Sequence, residues 1–488
     1  MDEPTILEQS TAGREAVSLP ACDVAESALP QHLVRPDNGL PELSEQQIVR
    51  HYLRLSQRNF GVDTGFYPLG SCTMKHNPKI NEQLARLRGF TAIHPLQDVA
   101  MTQGALELMH GLQEQLKEIG GFAGVSLQPA AGAQGELTAL LMMRAYHAAN
   151  GEPGRDVVLI PDSAHGTNPA STAMAGCIAV EVPSNARGNT DIEAIRAACD
   201  DRLVGIMLTN PNTHGLFEDQ LEELVALIHS CGGLVYGDGA NMNALTGVVR
   251  PGDIGIDLMH FNLHKTFATP HGGGGPGSGP LGASSALVPY LPGPIVERTT
   301  GMAGAECAFL LSDPPQSIGR MCAFHGSFAM FVRAYTYLLG QGAVGLLSNA
   351  MHAVLNANYL RVRLREDYPV PFDWLCMHEF VCQGRPNGSA IHAIDVSKRL
   401  MDFGFHPPTN YFPLSVPEAL MIEPTETESM ATLDAFADAM LQIAAEARDQ
   451  PEMLRSAPHS TPVRRLDEVK AARELIVSEP EPDDWDLA

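Results

Sequence analysis

Lysine is scarce in this chain: of 32 basic side chains only six are lysine, at positions 75, 79, 117, 265, 398 and 470. Basic charge as a whole is outnumbered, with 57 Asp and Glu setting a formal net charge of −25. A field of that sign repels nucleic acid and anionic membrane surfaces and excludes both as main partners. Cysteines at metal or redox spacing are also missing. The nine that occur are scattered and form no Cys-x-x-Cys pair, which favours reduced thiols over a disulfide framework or structural zinc. No uninterrupted apolar run approaches the ~20 residues of a membrane-spanning helix. The opening Met1-Asp2-Glu3-Pro4 lacks the cationic and apolar regions of a signal or transit peptide, so the expectation is a cytosolic protein.

What is present is the composition of a globular protein, 44% hydrophobic and 18% charged over 488 residues. That length allows about two or three domains with a large core. Residues 1–60 are rich in Glu, Pro and Gln and read as an N-terminal arm with one helix at Glu45 to Arg58. From about 120 to 265, short apolar runs alternate with helical stretches. Val125 to Leu127, Val157 to Ile160, Ile178 to Val182, Val204 to Leu208, Leu234 to Tyr236 and Leu258 to Phe261 read as buried strands. Gly135 to Ala149, Ile192 to Ala198 and Glu218 to His229 read as helices between them. This is the alternation of an α/β fold with a mostly parallel central sheet flanked by helices. From about 350 the pattern changes to that of a smaller C-terminal α+β domain. Its last helix is expected to follow a Thr425-x-x-Glu428 capping box. The expected organisation is an arm over 1–60, a large domain over 61–340, a small domain over 341–460 and an acidic tail over 461–488.

Lys265 is the lone lysine between 117 and 398, and it sits between an apolar run and the glycine-rich stretch 271–280. Partial removal from water favours the neutral form of a lysine, and a neutral amine is the nucleophile that forms a Schiff base with an aldehyde. Asp238 ends the run Val235-Tyr236-Gly237, at the edge where open parallel sheets bind ligands. It reads either as the acid that keeps a pyridine nitrogen protonated or as a turn Asp satisfied by local backbone. Gly132, Ala133 and Gln134 join a strand to a helix, where backbone N–H groups can close on a phosphate or simply make a tight turn. His165 follows another strand and suits either stacking on a flat heteroaromatic ring or a structural role. Asn210 could present its amide to a ring hydroxyl or make an Asn-Pro turn. A phosphate loop, a ring neighbour, an acid and a lysine emerging in turn from separate strand ends raise the functional reading of each.

On these residues the sequence resembles fold-type I pyridoxal phosphate enzymes, and within them the subunit 2 branch of decarboxylating glycine dehydrogenases, the P-proteins of the glycine cleavage system. The strings that carry the resemblance are GVDTGFYPLGSCTMKHNPKINE (61–82), QPAAGAQGELTALLMMRAYH (128–147), DSAHGTNPASTAMAG (162–176), GDGANMNALTG (237–247), NLHKTFATPHGGGGPGSGP (262–280) and GFHPPTNYFPLSVPEALMIEPTETE (404–428). The resemblance implies pyridoxal 5'-phosphate as cofactor, bound through Lys265, with Asp238 on its ring nitrogen and His165 stacked on the ring. It further implies that Gly132, Ala133 and Gln134 cradle the phosphate with help from His264. The implied reaction is decarboxylation of glycine with transfer of the aminomethyl group to the lipoyl arm of the H-protein carrier. The implied assembly is an α2β2 heterotetramer with a homologous alpha subunit. Competing readings are a free-standing pyridoxal phosphate decarboxylase, a sulfur-transferring relative and a non-catalytic scaffold subunit. The scaffold reading predicts loss of the lysine or the acid, and both are present. A nucleotide-binding module is disfavoured because its Gly-Lys-Ser/Thr fingerprint is absent.

Overall fold

Runs such as Val157–Pro161 and Leu203–Thr209 carry apolar residues toward both faces, so they are stable as strands only when both faces are covered. In the computed structural model they form the middle of a seven-stranded sheet. Its strands are β1 (Gly124–Ser126), β2 (Val157–Pro161), β3 (Ile178–Val182), β4 (Leu203–Thr209), β5 (Leu234–Asp238), β6 (Leu258–His260) and β7 (Leu281–Ala283). The spatial order is β1-β7-β6-β5-β4-β2-β3. Strands β3, β2, β4, β5 and β6 are parallel neighbours, whereas β7 runs antiparallel to both β6 and β1. One face buries Ile206, Leu208, Val235 and Met259 against Leu224, Val225 and Ile228. The other buries Val158, Val204, Met207 and Tyr236 against Leu140, Met142 and Met143 of helix Gly132–Ala149. The structure describes residues 3–25, 27–35, 39–272, 277–299 and 308–477.

By their contacts the residues fall into two compact units, Met1–Gly65 with Ser460–Ala488, and Phe66–His459. In the first, helix Glu45–Ser56 opens at Ser44. The Ser44 hydroxyl accepts the Gln47 amide, and the Gln47 side chain returns to the Ser44 N–H. Arg54 of the same helix pairs with Glu3 at 2.6 Å. In the second, a small antiparallel sheet joins Phe380–Gln383 to Ala419–Ile422 and Thr409–Asn410. Its Phe380, Leu420 and Ile422 pack on Leu433, Phe436, Met440 and Ile443 of helix Met430–Asp449.

All six expected strands form, but β7 was not foreseen, because three small or aliphatic residues after a Gly/Pro-rich stretch carry no periodicity. Strand β3 is an edge strand with only Val182 buried, not the buried strand its apolar residues suggested. The last helix is capped by Ser429, whose side chain accepts the Thr432 amide, rather than by a box at Thr425. Thr425 is buried at a left-handed φ of 65° and therefore cannot serve as a helix N-cap. Helix Phe328–Leu364 is long and apolar enough to cross a membrane by length and composition, contrary to the expectation of none. Thr336, Gln341, Ser348 and Asn349 interrupt its apolar run in sequence. Gly342, at φ 59° and ψ −177°, breaks the helix in two, and Phe331, Val332, Tyr337 and Leu338 belong to the main core. Residues 273–276 of the glycine-rich stretch and the acidic ending beyond 477 lie outside the described residues.

One buried ion pair fastens distant parts of the second unit. Lys75 Nζ lies 2.8 Å from Glu426 Oε1, and also donates to Asn243 Oδ1 at 2.9 Å and Tyr337 Oη at 3.2 Å. Removing one member of a buried pair leaves the other charged and unsolvated, at a cost of about 3–5 kcal/mol. Lys75→Ala is therefore expected to lower the urea unfolding midpoint sharply, whereas the double change Lys75→Met with Glu426→Leu recovers most of the loss.

Candidate active site

The parallel strands change direction of progression between β2 and β4, and the crevice at the carboxyl ends of such strands is where open α/β sheets bind ligands. A cavity of about 240 Å³ lies there, lined by Ser71, Gly132, Ala133, Glu136, His165, Thr209, Thr213, Asp238, His260, Asn262, His264 and Lys265 among others. The register of β4 against β5 sets Thr209 directly beside Asp238. Lys265 follows β6 on a short turn, its N–H bonded to the Asn262 carbonyl at 3.1 Å.

Six residues singled out in the sequence thus meet at one cavity: Lys265, Asp238, His165, Gly132, Ala133 and His264. The side chains of Gln134 and Asn210 point elsewhere. Gln134 Oε1 accepts the Ala130 amide at 2.7 Å and its Nε2 donates to the Met321 carbonyl at 2.8 Å. Asn210 Oδ1 accepts the Glu218 amide at 3.0 Å. Sequence reasoning missed Glu136, Asn168, His260 and Asn262, which complete the surroundings of Asp238. For Glu136, His260 and Asn262 the signal was chemical, in that each is a polar group inside a largely buried stretch, whereas Asn168, flanked by exposed Gly166, Pro169 and Ala170, carried no such signal.

Asp238 is buried. Burial raises its pKa, but His260, Lys265, the Ala240 amide and Asn168 together bring it below the ordinary carboxylate value. Its Oδ1 accepts the Ala240 N–H at 2.9 Å, and its Oδ2 accepts Asn168 Nδ2 at 3.4 Å. The same Asn168 amide donates to Glu136 Oε2 at 2.7 Å. Burial, with Asp238 next to it, pushes Glu136 up to about 8. Of two acids joined through one amide, one is ionised and the other holds a proton at neutral pH. Asn262 Nδ2 donates to His260 Nε2 at 2.7 Å, leaving His260 Nδ1 to donate to Tyr236 Oη at 2.5 Å. On the cavity rim, His165 Nδ1 accepts the Thr167 amide at 3.2 Å, which places its proton on Nε2. Burial lowers His264 to about 3, helped by His271 and Lys265, so this ring stays neutral.

These residues suit a phosphorylated pyridine aldehyde. Ala131, the N-cap of helix Gly132–Ala149, supplies no side-chain cap, so the first-turn amides of an 18-residue helix are free for an anion. A Cβ on Gly132 would stand 2.5 Å from Asn262 Oδ1, so the loop keeps its close approach only with glycine. Thr209 Oγ1, beside Asp238, and Thr266 Oγ1, beside Lys265, are buried without a hydrogen-bond partner. An ionised buried acid, an amine and an anion-binding helix end are the three elements that a pyridinium, an aldehyde and a phosphate require.

The fold and site together define a fold-type I, aminotransferase-like protein. Residues 134–274 match the family Aminotransferase class-V, and residues 349–460 match Glycine dehydrogenase, C-terminal domain. The chain is 54% identical over 484 residues to the probable glycine dehydrogenase (decarboxylating) subunit 2 of Chloroherpeton thalassium, covering 98% of both chains. It is 53% identical over 482 residues to the protein of the same name from Bacillus velezensis, covering 98% of this chain and 97% of the other. A solved glycine decarboxylase (P-protein) of the glycine cleavage system, in inhibitor-bound form, shares the fold with a TM-score of 0.71 at 22% identity. That match covers 85% of this chain and 93% of the other. The Lactobacillus brevis glutamate decarboxylase shares it with a TM-score of 0.61 at 16% identity, covering 88% and 96%. The chain belongs to the glycine dehydrogenase (decarboxylating) subunit 2 family.

The raised pKa of Glu136 has a thermodynamic consequence. Between its ordinary value of 4.5 and about 8 the folded state holds a proton that the unfolded state releases, so stability falls as pH rises through that window. Glu136→Gln keeps an acceptor for Asn168 but cannot ionise. Unfolding free energy of the wild type is expected to drop by on the order of 1–3 kcal/mol from pH 6 to pH 8, and this variant should flatten the drop. Urea titrations across that range provide the check.

Proposed function

We propose that this chain, acting with a homologous alpha subunit, decarboxylates glycine and passes the remaining aminomethyl group to the lipoyl arm of an H-protein carrier. The observation that carries the reading is the buried, ionised Asp238 in the same cavity as Lys265 and the uncapped helix end, in a member of the subunit 2 family. Bound pyridoxal phosphate supplies the electron sink that lets the carboxylate of glycine depart as carbon dioxide. The protein's part is to hold and orient. Lys265 would hold the cofactor through its aldehyde, and its amine is the group that the amine of glycine would replace there. Asp238 keeps a proton on the ring nitrogen, and the Asn168 and Ala240 donors hold that carboxylate in line. The amides of Gly132, Ala133 and Gln134 would take the phosphate, and the neutral His264, whose Nδ1 accepts the Ser278 amide, would donate to it through Nε2 without adding charge. His165, with its proton on Nε2, would stand at the cavity rim to stack on the ring. The reading includes an α2β2 assembly, supported by the subunit 2 name of its relatives. The large domain up to about 340 would hold the cofactor, and residues 341–460 would form the smaller domain.

Replacing Asp238 with Asn is expected to keep the visible absorbance of the lysine-bound cofactor while slowing glycine decarboxylation by about a hundredfold or more, a loss of roughly 3 kcal/mol of transition-state stabilisation. Lys265→Ala should abolish that absorbance, and its persistence would assign the anchor to another lysine. The decisive experiment is exchange of labelled bicarbonate into the carboxyl group of glycine by this chain co-purified with its alpha subunit and lipoylated carrier. Carrier-dependent exchange supports the reading. Exchange without the carrier points to a free-standing decarboxylase, and no exchange from cofactor-loaded protein rejects glycine as substrate.

A further inference from the structure

Two carboxylates of the small sheet take no part in the chemistry above. Phe380 pairs with Ile422 in the antiparallel ladder, so one step further along the same register Glu379 comes opposite Glu423. Both are fully buried, as is His378. One donor atom from each of the three lies within 4.8 Å of the others. Glu379 accepts the Ser71 amide at 2.7 Å and Asn241 Nδ2 at 3.3 Å, and Glu423 accepts the Thr73 amide at 2.9 Å. Glu423 Oε1 and both ring nitrogens of His378 have no hydrogen-bond partner, and His378 Nε2 stands 3.8 Å from that oxygen. Neighbouring carboxylates removed from water without a cation in hydrogen-bond contact cannot both stay ionised.

The titratable groups facing this pair are His378, Cys72, Cys376, Lys265 and Glu426, and burial pushes the Cys376 thiol up to about 12 so that it stays protonated. Burial drives His378 down to about 3 and pushes the Cys72 thiol up, so neither neutralises a carboxylate. Burial and the neighbouring Glu423 hold Glu379 well above its ordinary value, and burial takes Glu423 to about 7 against the pull of the Thr73 hydrogen bonds and Lys265. The amides that the two glutamates hold belong to a strained segment. Ser71 and Thr73 have φ of 66° and 45°, a region that non-glycine residues occupy only when their surroundings compel it. Ser71 also lines the cavity in which Lys265 lies.

We propose that Glu379 and Glu423 share one proton and, through the amides of Ser71 and Thr73, act as positioning residues for the cavity wall facing Lys265. The effect on turnover rests on the glycine-cleavage reading; the sharing of the proton does not. When the shared proton is lost, two like charges stand against each other out of water. The Ser71–Thr73 segment is then no longer held, and turnover falls on the alkaline side. A divalent cation on the same three side chains is the competing occupant, and the nearby charge of Lys265 opposes it.

The test uses holoenzyme in two measurements. Infrared titration of the wild type is expected to reveal, beside the carbonyl stretch of protonated Glu136, a second one that disappears above neutral pH, is missing when Glu379 and Glu423 are both replaced by Gln and persists in Glu136→Gln. Carrier-dependent bicarbonate exchange in Glu379→Gln and Glu423→Gln should keep the cofactor absorbance but move the alkaline limb of the pH–rate profile upward by about one pH unit or more. A purely structural role for the two glutamates would leave that limb in place. An unmoved limb in both variants overturns the proposal. So does a wild type without the second infrared band, or a stoichiometric divalent metal that survives chelation in the wild type and is lost in both variants. If the band behaves as expected while no variant or wild type exchanges bicarbonate, the pair stands and the glycine reading fails.

Discussion

Burying several acids beside one amine is the constraint on which this site depends. The charge of Lys265 acts on Asp238, Glu136, Glu379 and Glu423, and also on His165, His260, His264, His271 and His378. With so little water present, each acid must either find donors or keep its proton. Asp238 finds donors and is ionised, whereas Glu136 does not find enough and stays protonated. The histidines are all driven toward neutrality by burial, so they contribute shape and hydrogen bonding rather than charge. What results is a cavity whose electrostatics are set by the Lys265 amine and the Asp238 carboxylate, with Glu136 held neutral.

Backbone geometry brings these groups together. The carboxyl ends of β2, β4, β5 and β6 open on one crevice, and the register of β4 on β5 sets Thr209 beside Asp238. Helix Gly132–Ala149 directs its uncapped first turn into the same space. The strand Ala419–Ile422 continues toward this region. Leu69 bridges to Ile422, the Gly70 amide bonds to the Met421 carbonyl at 3.3 Å, and the segment from Ser71 to Thr73 runs on to the cavity. The small sheet therefore supports the wall of the site as well as forming its own core. Left-handed conformations at Ser71 and Thr73 cost on the order of 1 kcal/mol or more each, and the two buried glutamates offset that cost by satisfying their amides.

Six strands of the large sheet, several helices and six of the residues that meet at the cavity were legible in sequence because each depends on local pattern. Apolar runs with Gly and Asp at their ends mark parallel strands, and the isolated lysine before a glycine-rich stretch is the one that lines the cavity. Asn210 looked equivalent to its neighbours at a strand end, but a single backbone amide, that of Glu218, turned its side chain away. Gln134 likewise bonds across its own turn to Ala130 and to Met321, a residue almost two hundred positions distant. No spacing rule along the chain carries either outcome.

By itself, then, the sequence determined the alternation of strand and helix, the identity of the amine and the acid, and the family. Those properties lie in residue type and short-range order. Tertiary structure alone decided which acids keep a proton, how β7 closes one side of the sheet, and why Glu379 and Glu423 stand together more than forty residues apart. Protonation follows from how much water and which donors surround a carboxyl group, and only the packed chain sets both.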